Sequence, residues 1–377
     1  MVPARLIDAF ASVRDPRVER TRLHPLTDIL VIAMLAIING ATAWSDMEAF
    51  AEVRLPWLRT FLELPNGVPS EDTFRRVFEA MSPREFGDAV KVILQDLVTE
   101  LRGKVVAVDG KTMRGSIDRR QGKRALHVVS AWVTELGVSL GQIAVDDKSN
   151  EITAIPELLK TLDIRGATVT IDAMGCQKAI AETIVDGSAD YILAVKENQP
   201  TLHTALEVAF AEVPGHEHES IVEDEDVTEN KGHGRIERRR VRLTRDIDWI
   251  DGIEAWKDAK SVVEVERTRT IGDKTSVERA YYISSLDVTA RTMGSRIRSH
   301  WGIENSLHWV LDVTFGEDKS RVRDRTSAAN LTALRKLSAS LLKRAPANRA
   351  RSIAQRRKIA GWNPDYAFDV LAEIFED

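Results

Sequence analysis

A mixed α/β fold is predicted, with a five-stranded sheet flanked by helices, a helical domain before it and a β-rich insertion within it. Three observations predict this. Val105-Val106-Ala107-Val108 is an unbroken apolar run ended by Asp109-Gly110, the pattern of a strand buried on both faces and stopped by a turn. From residue 104 to 195, strand-like and helix-like runs follow in the order βββαβαβ. Before residue 102 the apolar residues recur only at helical spacing. The domain organisation expected is therefore a helical domain over 1–101 and an α/β domain over 102–377. The latter is interrupted by a β-rich insertion at 217–288 and carries a basic helical segment at 319–358.

The helical part reads element by element. Leu6, Ile7, Phe10 and Val13 share a helix face, and Asp15-Pro16 ends it. Thr27 or Asp28 is a candidate cap for the apolar helix that runs to Ile38. Trp44 to Trp57 is a second amphipathic segment, and Pro65-Asn66-Gly67 is a turn. Ser70 caps a helix from Glu71 to Met81. Ser82-Pro83-Arg84-Glu85 is a capping box with proline at the first helical position, opening a helix to about Leu101. Such a bundle suits DNA binding, and equally docking or dimerisation.

In the α/β part, Leu126–Val133 and Ser139–Val145 form a hairpin around Glu135-Leu136-Gly137. A helix over Ile152–Leu162 follows, capped by Ser149 or Asn150. Next come a strand over Ala167–Ile171 that ends in Asp172, a helix over Cys176–Val185, and a strand over Ala189–Val195 that runs into Lys196. This order lets the first and fourth strands lie side by side and parallel. Asp109 and Asp172 then reach the same carboxyl-terminal edge, where α/β folds place ligands. Each acid taken alone reads as a turn or cap residue.

In the insertion, Arg235–Arg245 is strongly basic, and Val262–Thr268 and Val277–Ile283 make a hairpin around Gly272-Asp273. That surface can track phosphates, or its arginines can pair with neighbouring acids. From Thr289, Met293, Ile297, Trp301, Leu307 or His308, and Leu311 recur near a 3.6-residue period, so Glu304 is expected inside one long helix. On such a helix His300 and His308 lie one turn to either side of Glu304, on roughly its face. Between Lys319 and Lys358 thirteen Lys or Arg stand against one acid, Asp324, in a chain whose net charge is -5. That asymmetry fits a nucleic-acid footprint. Tyr366–Phe375 reads as an amphipathic helix packed back on the body.

Composition bounds the class. One cysteine, Cys176, excludes a disulfide framework and a zinc knuckle and fits a reducing cytosol. The longest apolar run, Ile29–Ala43, is broken by Asn39-Gly40 and is too short to span a bilayer. Neither a membrane nor a secretory route is expected. Asp109, Asp172 and Glu304 are acids without nearby histidine-cysteine clusters, and oxygen-only donors select Mg²⁺ or Mn²⁺ over zinc. Two such ions ~4 Å apart clamp the attacking and leaving oxygens of a phosphodiester. Lys111 and Arg114 follow Asp109 closely enough to contact a phosphate.

The motifs Val108-Asp109-Gly110-Lys111-Thr112-Met113-Arg114-Gly115-Ser116, Lys148-Ser149-Asn150-Glu151-Ile152, Thr170-Ile171-Asp172-Ala173-Met174-Gly175-Cys176-Gln177-Lys178, Ala194-Val195-Lys196-Glu197-Asn198-Gln199, His233-Gly234-Arg235-Ile236-Glu237 and His300-Trp301-Gly302-Ile303-Glu304-Asn305-Ser306-Leu307-His308-Trp309 resemble those of the ISAs1 family of bacterial DDE transposases, the group that includes H-repeat-associated proteins. Asp15-Pro16-Arg17 and Pro69-Ser70-Glu71-Asp72-Thr73 resemble the helical domain that accompanies that family. The resemblance covers nearly the whole chain. It implies an RNase H-like core with Asp109, Asp172 and Glu304 as catalytic and metal-binding acids. It also implies two Mg²⁺ or Mn²⁺ ions, and cutting at insertion-sequence ends followed by joining to target DNA. Expected DNA contacts are Lys111, Arg114, Lys148, Lys196, Arg235, Arg298, His300, His308, Lys319 and Arg321. A homodimer or larger assembly on DNA, in a bacterial cytoplasm at the nucleoid, goes with that reading. The chain departs from related transposases that carry Tyr, Arg and Lys around the glutamate: Ile297, His300 and Leu311 stand there. Phosphate contacts would fall instead to Arg298, His308 or Lys319. Two alternatives are an RNase H-like nuclease that does not join strands, and an inactive or regulatory DNA-binding remnant.

Overall fold

The computed structural model describes residues 3–98, 100–117, 122, 124–145, 150–211, 221–232, 234–345 and 351–372. Lys148, Ser149 and His233, the first residues of the insertion and the end of the last expected helix lie outside the described residues. The described strands are β1 (Val105–Met113), β2 (Leu126–Val133), β3 (Val138–Val145), β4 (Thr168–Ile171), β5 (Asp190–Val195), β6 (Asp224–Gly232), β7 (Arg235–Thr244), β8 (Ser261–Ile271) and β9 (Lys274–Ser284). They form one mixed sheet of nine strands in the order β3-β2-β1-β4-β5-β9-β8-β7-β6. The expectation of five strands is corrected here. The insertion does not make a sheet of its own, because β9 (Lys274–Ser284) pairs antiparallel with β5 (Asp190–Val195) and continues the same ladder.

The chain divides into two compact units, Met1–Glu100 with Gly110–Ser149 and Ile303–Asp377, and Leu101–Asp109 with Asn150–Gly302. Strand β1 (Val105–Met113) contributes its first half to the second unit and its last half to the first.

The first unit opens with α1 (Ala4–Ala11), α2 (Leu26–Asn39), α3 (Trp44–Val53), α4 (Leu55–Leu58), α5 (Glu71–Ala80) and α6 (Pro83–Asp96). Helix α2 is apolar all round and buried from Ile29 to Ile38, as a core helix must be. It starts after Pro25 with no side-chain cap, so neither Thr27 nor Asp28 caps it, and Gly40 in the left-handed region ends it. Among the described residues no single helix is long and apolar enough to cross a membrane. Ser70 and Ser82 cap α5 and α6 as expected. Strands β2 (Leu126–Val133) and β3 (Val138–Val145) form the expected hairpin. Helix α11 (Arg325–Arg344) is buried over Ser327–Leu342, and α12 (Ile353–Trp362) and α13 (Pro364–Ala372) follow it.

That burial revises the meaning of the basic tail. Arg335 and Lys336 lie within the core rather than on a surface. Arg356 donates to the carbonyls of Lys343 and Leu342, and Arg357 to those of Ile37 and Thr314. Part of the cationic excess therefore satisfies carbonyls at helix ends.

In the second unit, α7 (Glu151–Lys160), β4 (Thr168–Ile171), α8 (Lys178–Asp186) and β5 keep the predicted order, and a helix that was not expected, α9 (Pro200–Ala209), follows. Strands β6 (Asp224–Gly232), β7 (Arg235–Thr244), β8 (Ser261–Ile271) and β9 form an antiparallel meander, turned at its far end by Gly272-Asp273. Helix α10 (Ala290–His300) lies on it through Ala290, Met293 and Ile297, which join Val241, Leu243 and Val263 in one core cluster. The arginines of β7 are largely paired with acids: Arg239 with Glu237 at 2.7 Å and Arg240 with Glu225 at 2.9 Å. Arg245 meets Asp287 at 2.7 Å, and Arg242 meets buried Glu264.

Candidate active site

The site grows from the middle of β1. Strands β1 and β4 pair in parallel with Val108 opposite Ile171, so the next residues stand at the same edge: Asp172 just past the end of β4, and Asp109 where β1 runs on beyond it. The expected stop at Asp109-Gly110 is corrected here, because the strand continues through both residues to Met113. The βββαβ order produces this because the β4 connection crosses over through α7 and returns parallel to β1. Asp109 is half-buried and Asp172 is exposed.

Asp172 begins a single 3₁₀ turn, and its Oδ1 accepts the backbone N–H of Met174 at 3.1 Å and of Gly175 at 3.4 Å. The turn is held from behind by the segment after β5. Asn198 donates from Nδ2 to the Ala173 carbonyl at 2.6 Å, and Gln199 donates from Nε2 to the Cys176 carbonyl at 2.9 Å. Gly175 has no room for a side chain: a Cβ there would lie 2.2 Å from Ile171 Cγ2. These contacts account for Asn198 and Gln199, which sequence reasoning quoted as a motif without a role.

Helix α10 meets β4 in register. Arg296 donates from Nη1 to Thr168 Oγ1 at 2.8 Å, and His300 Nδ1 lies 3.0 Å from Thr170 Oγ1. One helical turn spans nearly the same length as two strand residues, so the i, i+4 pair on α10 matches the i, i+2 pair on β4. Burial lowers the affinity of the His300 imidazole for a proton. The Asp172 charge and the Thr170 contact work the other way without reversing the shift. Thr170 is a site residue the sequence did not single out.

The long helix expected across Glu304 is not continuous. Helix α10 ends at His300, and two π-helical stretches follow, Ile303–His308 and Val310–Thr314. Ile303, Leu307, Leu311 and Phe315 are buried. They repeat every four residues, a longer period than the 3.6 of an α-helix, and wider turns keep them on one face. Glu304 is consequently exposed, whereas His308 is turned inward. Burial, together with the Lys336 and Lys111 cations, pushes His308 down to about 3. Glu304 and His308 therefore do not share the face expected of them.

Lys111 is engaged by protein carboxylates, Asp312 Oδ1 and Glu317 Oε2, the latter at 2.8 Å. Arg114, Lys196, Arg235, Arg298, Lys319 and Arg321 are exposed. The Arg267 guanidinium stacks 5.6 Å from the centre of the half-exposed Trp301 ring. Among the described residues, no three His, Cys, Asp or Glu side chains are gathered as a ready metal cage. The Asp109 and Asp172 donor set is nonetheless all oxygen, the chemistry that suits Mg²⁺ or Mn²⁺.

Paired carboxylates at the edge of parallel strands in a mixed α/β fold define a class of site rather than a particular reaction, and comparison with known proteins supplies the family. The profile described as "Transposase DDE domain" matches residues 100–341, and "DDE_Tnp_1-associated" matches residues 7–92. "Putative transposase YncI" of Escherichia coli O157:H7 is 39% identical over 98% of this chain and 95% of its own length. "H repeat-associated putative transposase YhhI" of Escherichia coli K12 is 38% identical over 98% of both chains. A solved piggyBac transposase synaptic complex with hairpin DNA aligns at a TM-score of 0.49 and 12% identity, over 98% of this chain and 76% of that one. The chain belongs to the DDE transposase family.

Proposed function

We propose that this transposase is of the ISAs1 type and cuts DNA at insertion-sequence ends. It then joins the freed 3′ ends to target DNA, using Asp109, Asp172 and Glu304 as its catalytic acids. The pairing of Val108 with Ile171, which sets Asp109 and Asp172 at one sheet edge, carries this reading. Glu304 follows His300 by four residues, and the His300 ring lies on Thr170, two residues before Asp172. Asp109 and Asp172, with Glu304, would hold two Mg²⁺ or Mn²⁺ ions, which when bound activate the attacking oxygen and neutralise the leaving one. The protein's own part is to keep the carboxylates aimed. The amides of Met174 and Gly175 orient Asp172, and neutral His300 holds α10 against β4 without adding a charge.

The rest of the reading is assigned as follows. Residues 102–377 make an RNase H-like catalytic domain, interrupted by the insertion at 217–288. Residues 1–101 dock DNA or a second subunit. The exposed cations Arg114, Lys196, Arg235, Arg298, Lys319 and Arg321 contact phosphates of terminal repeats and target DNA, and Lys148 joins them. A dimer or larger assembly at the bacterial nucleoid completes the picture.

The test uses labelled inverted-repeat ends, target plasmid and Mg²⁺. Joined products are expected. Nicks without joining would replace this reading with a nuclease, and a mobility shift without cleavage would replace it with a regulatory DNA-binding protein. In the same assay Asn198→Ala, which frees the Asp172 turn from its brace, is expected to slow joining up to about 100-fold with end affinity unchanged. Wild-type rates in that variant would show that the brace does not matter.

A further inference from the structure

We propose that Lys111 is a positioning residue of the transposition reaction, not a DNA contact. It is read as clamping the segment that carries Glu304 to the strand that carries Asp109; this rests on the three-acid reading above. Sequence spacing alone makes Lys111 a phosphate ligand, since it stands two residues after Asp109. Its ammonium points elsewhere. The Lys111 side chain is 12% exposed and donates to Asp312 and to Glu317, whose own side chain is 1% exposed. Glu317 is held in turn by Thr332 Oγ1 at 2.9 Å and by the Arg335 guanidinium at 3.6 Å.

A second close approach lies four residues further along the same motif. A Cβ on Gly115 would fall 2.0 Å from the Ser320 carbonyl oxygen, so only glycine lets the two backbones meet there. Lys111 and Gly115 thus both meet one stretch, residues 312–320. That stretch begins inside the second π-helical run and ends just past it. Upstream of it stands exposed Glu304, on wide π turns. A carboxylate on such a segment keeps its place only if the segment is pinned, and the Lys111 pair with Asp312 and Glu317 pins it. The Asp-Gly-Lys and Arg-Gly-Ser pieces of the motif then share one task, holding the third acid's segment to the first acid's strand.

The test compares full-length wild type, Lys111→Met, Lys111→Arg and Asp312→Asn, with Asp109→Asn as reference. Four quantities are read: urea stability, end affinity across a salt series, the melting-temperature rise caused by Mg²⁺ without DNA, and the single-turnover cleavage rate at saturating ends. A positioning role predicts that Lys111→Met keeps end affinity and its salt slope. It loses much of the Mg²⁺-induced melting shift and cleaves at least tenfold more slowly at saturation. Lys111→Arg recovers most of both readouts. Asp312→Asn, which leaves the Glu317 partner in place, shows a smaller loss of the same kind if Lys111→Met does not fold. Weaker end binding with a salt slope lower by about one, at an unchanged saturated rate, would make Lys111 a phosphate contact and overturn the proposal. A rate loss matched by the unfolded fraction would overturn it as well. An inactive wild type would instead defeat the three-acid reading. An active wild type with an inactive Asp109→Asn and a fully active Lys111→Met would defeat this proposal alone.

Discussion

Asp109→Asn is expected to lower both end cleavage and strand transfer by roughly three orders of magnitude or more, with DNA affinity retained. Metal-ion charge stabilisation is worth several kcal/mol in a phosphoryl-transfer transition state, and each ~1.4 kcal/mol is a factor of ten. Asparagine has the same shape, so β1 keeps its pairing with β4, and only the anionic ligand is lost. Asp172→Asn sharpens the argument. Its Oδ1 already accepts two backbone N–H groups, and an asparagine oxygen can accept the same pair. The turn then survives and the ligand does not. Asp172→Ala removes both, and adds about 1 kcal/mol of lost capping to the chemical defect. Glu304→Gln, at an exposed position, is expected to leave stability untouched while stopping chemistry. The measurement is a strand-transfer gel run beside a mobility-shift titration on the same preparations. Joining within tenfold of wild type by Asp109→Asn would remove Asp109 from the site.

How much of this was legible in the chain follows from what is local. The four-residue apolar run before Asp109, and the βββαβαβ order, are local patterns, and they sufficed to place Asp109 beside Asp172, although Asp109-Gly110 does not stop the strand, which runs on to Met113. The pairing of β9 with β5 is not local. Ile192 and Ser284 are ninety-two residues apart, and an edge strand's hydrogen-bonding groups do not advertise which later strand will take them. Hence five strands were expected where the described residues show nine. The π turns escaped for a different reason. A period of four, as in Ile303, Leu307, Leu311 and Phe315, is close enough to 3.6 to pass for an α-helix over a short window. The cost was a wrong face for His308. Charge counting failed where cations are buried, because composition cannot distinguish Lys319 on a surface from Arg357 donating to the carbonyl of Ile37. Lys111 shows both limits. Its neighbourhood in sequence is the strand of Asp109, but its carboxylate partners lie 201 and 206 residues away.

Glu317→Gln is expected to destabilise the protein by about 3–5 kcal/mol, the usual cost of removing one partner from a buried charge pair. Glu317 is 2% exposed and is the anion shared by Lys111, Arg335 and Lys336. Glutamine keeps the size and an acceptor for Thr332, but leaves Arg335 and Lys336 without this counter-charge and Lys111 with Asp312 alone. Burial on its own would raise the Glu317 carboxyl. The three cations more than reverse this and hold it below the ordinary glutamate range. The sign for stability follows. A carboxyl depressed in the folded state contributes fully above the unfolded value of about 4.3, and the contribution is lost as pH falls through the folded value. Lys336 works in a second window. Burial lowers it to about 7, against about 10.4 in an unfolded chain. Between these values the unfolded chain binds the proton that the folded chain has released, so stability rises with pH from about 7 to about 10. Urea unfolding of wild type and Lys336→Met at pH 6, 7, 8 and 9 isolates that part, since methionine removes the titrating group and fills a similar volume. The wild type is expected to gain on Lys336→Met as pH rises above 7. Parallel pH profiles for the two would show that Lys336 keeps an ordinary ammonium, and that the cluster around Glu317 is more open to water than its burial indicates.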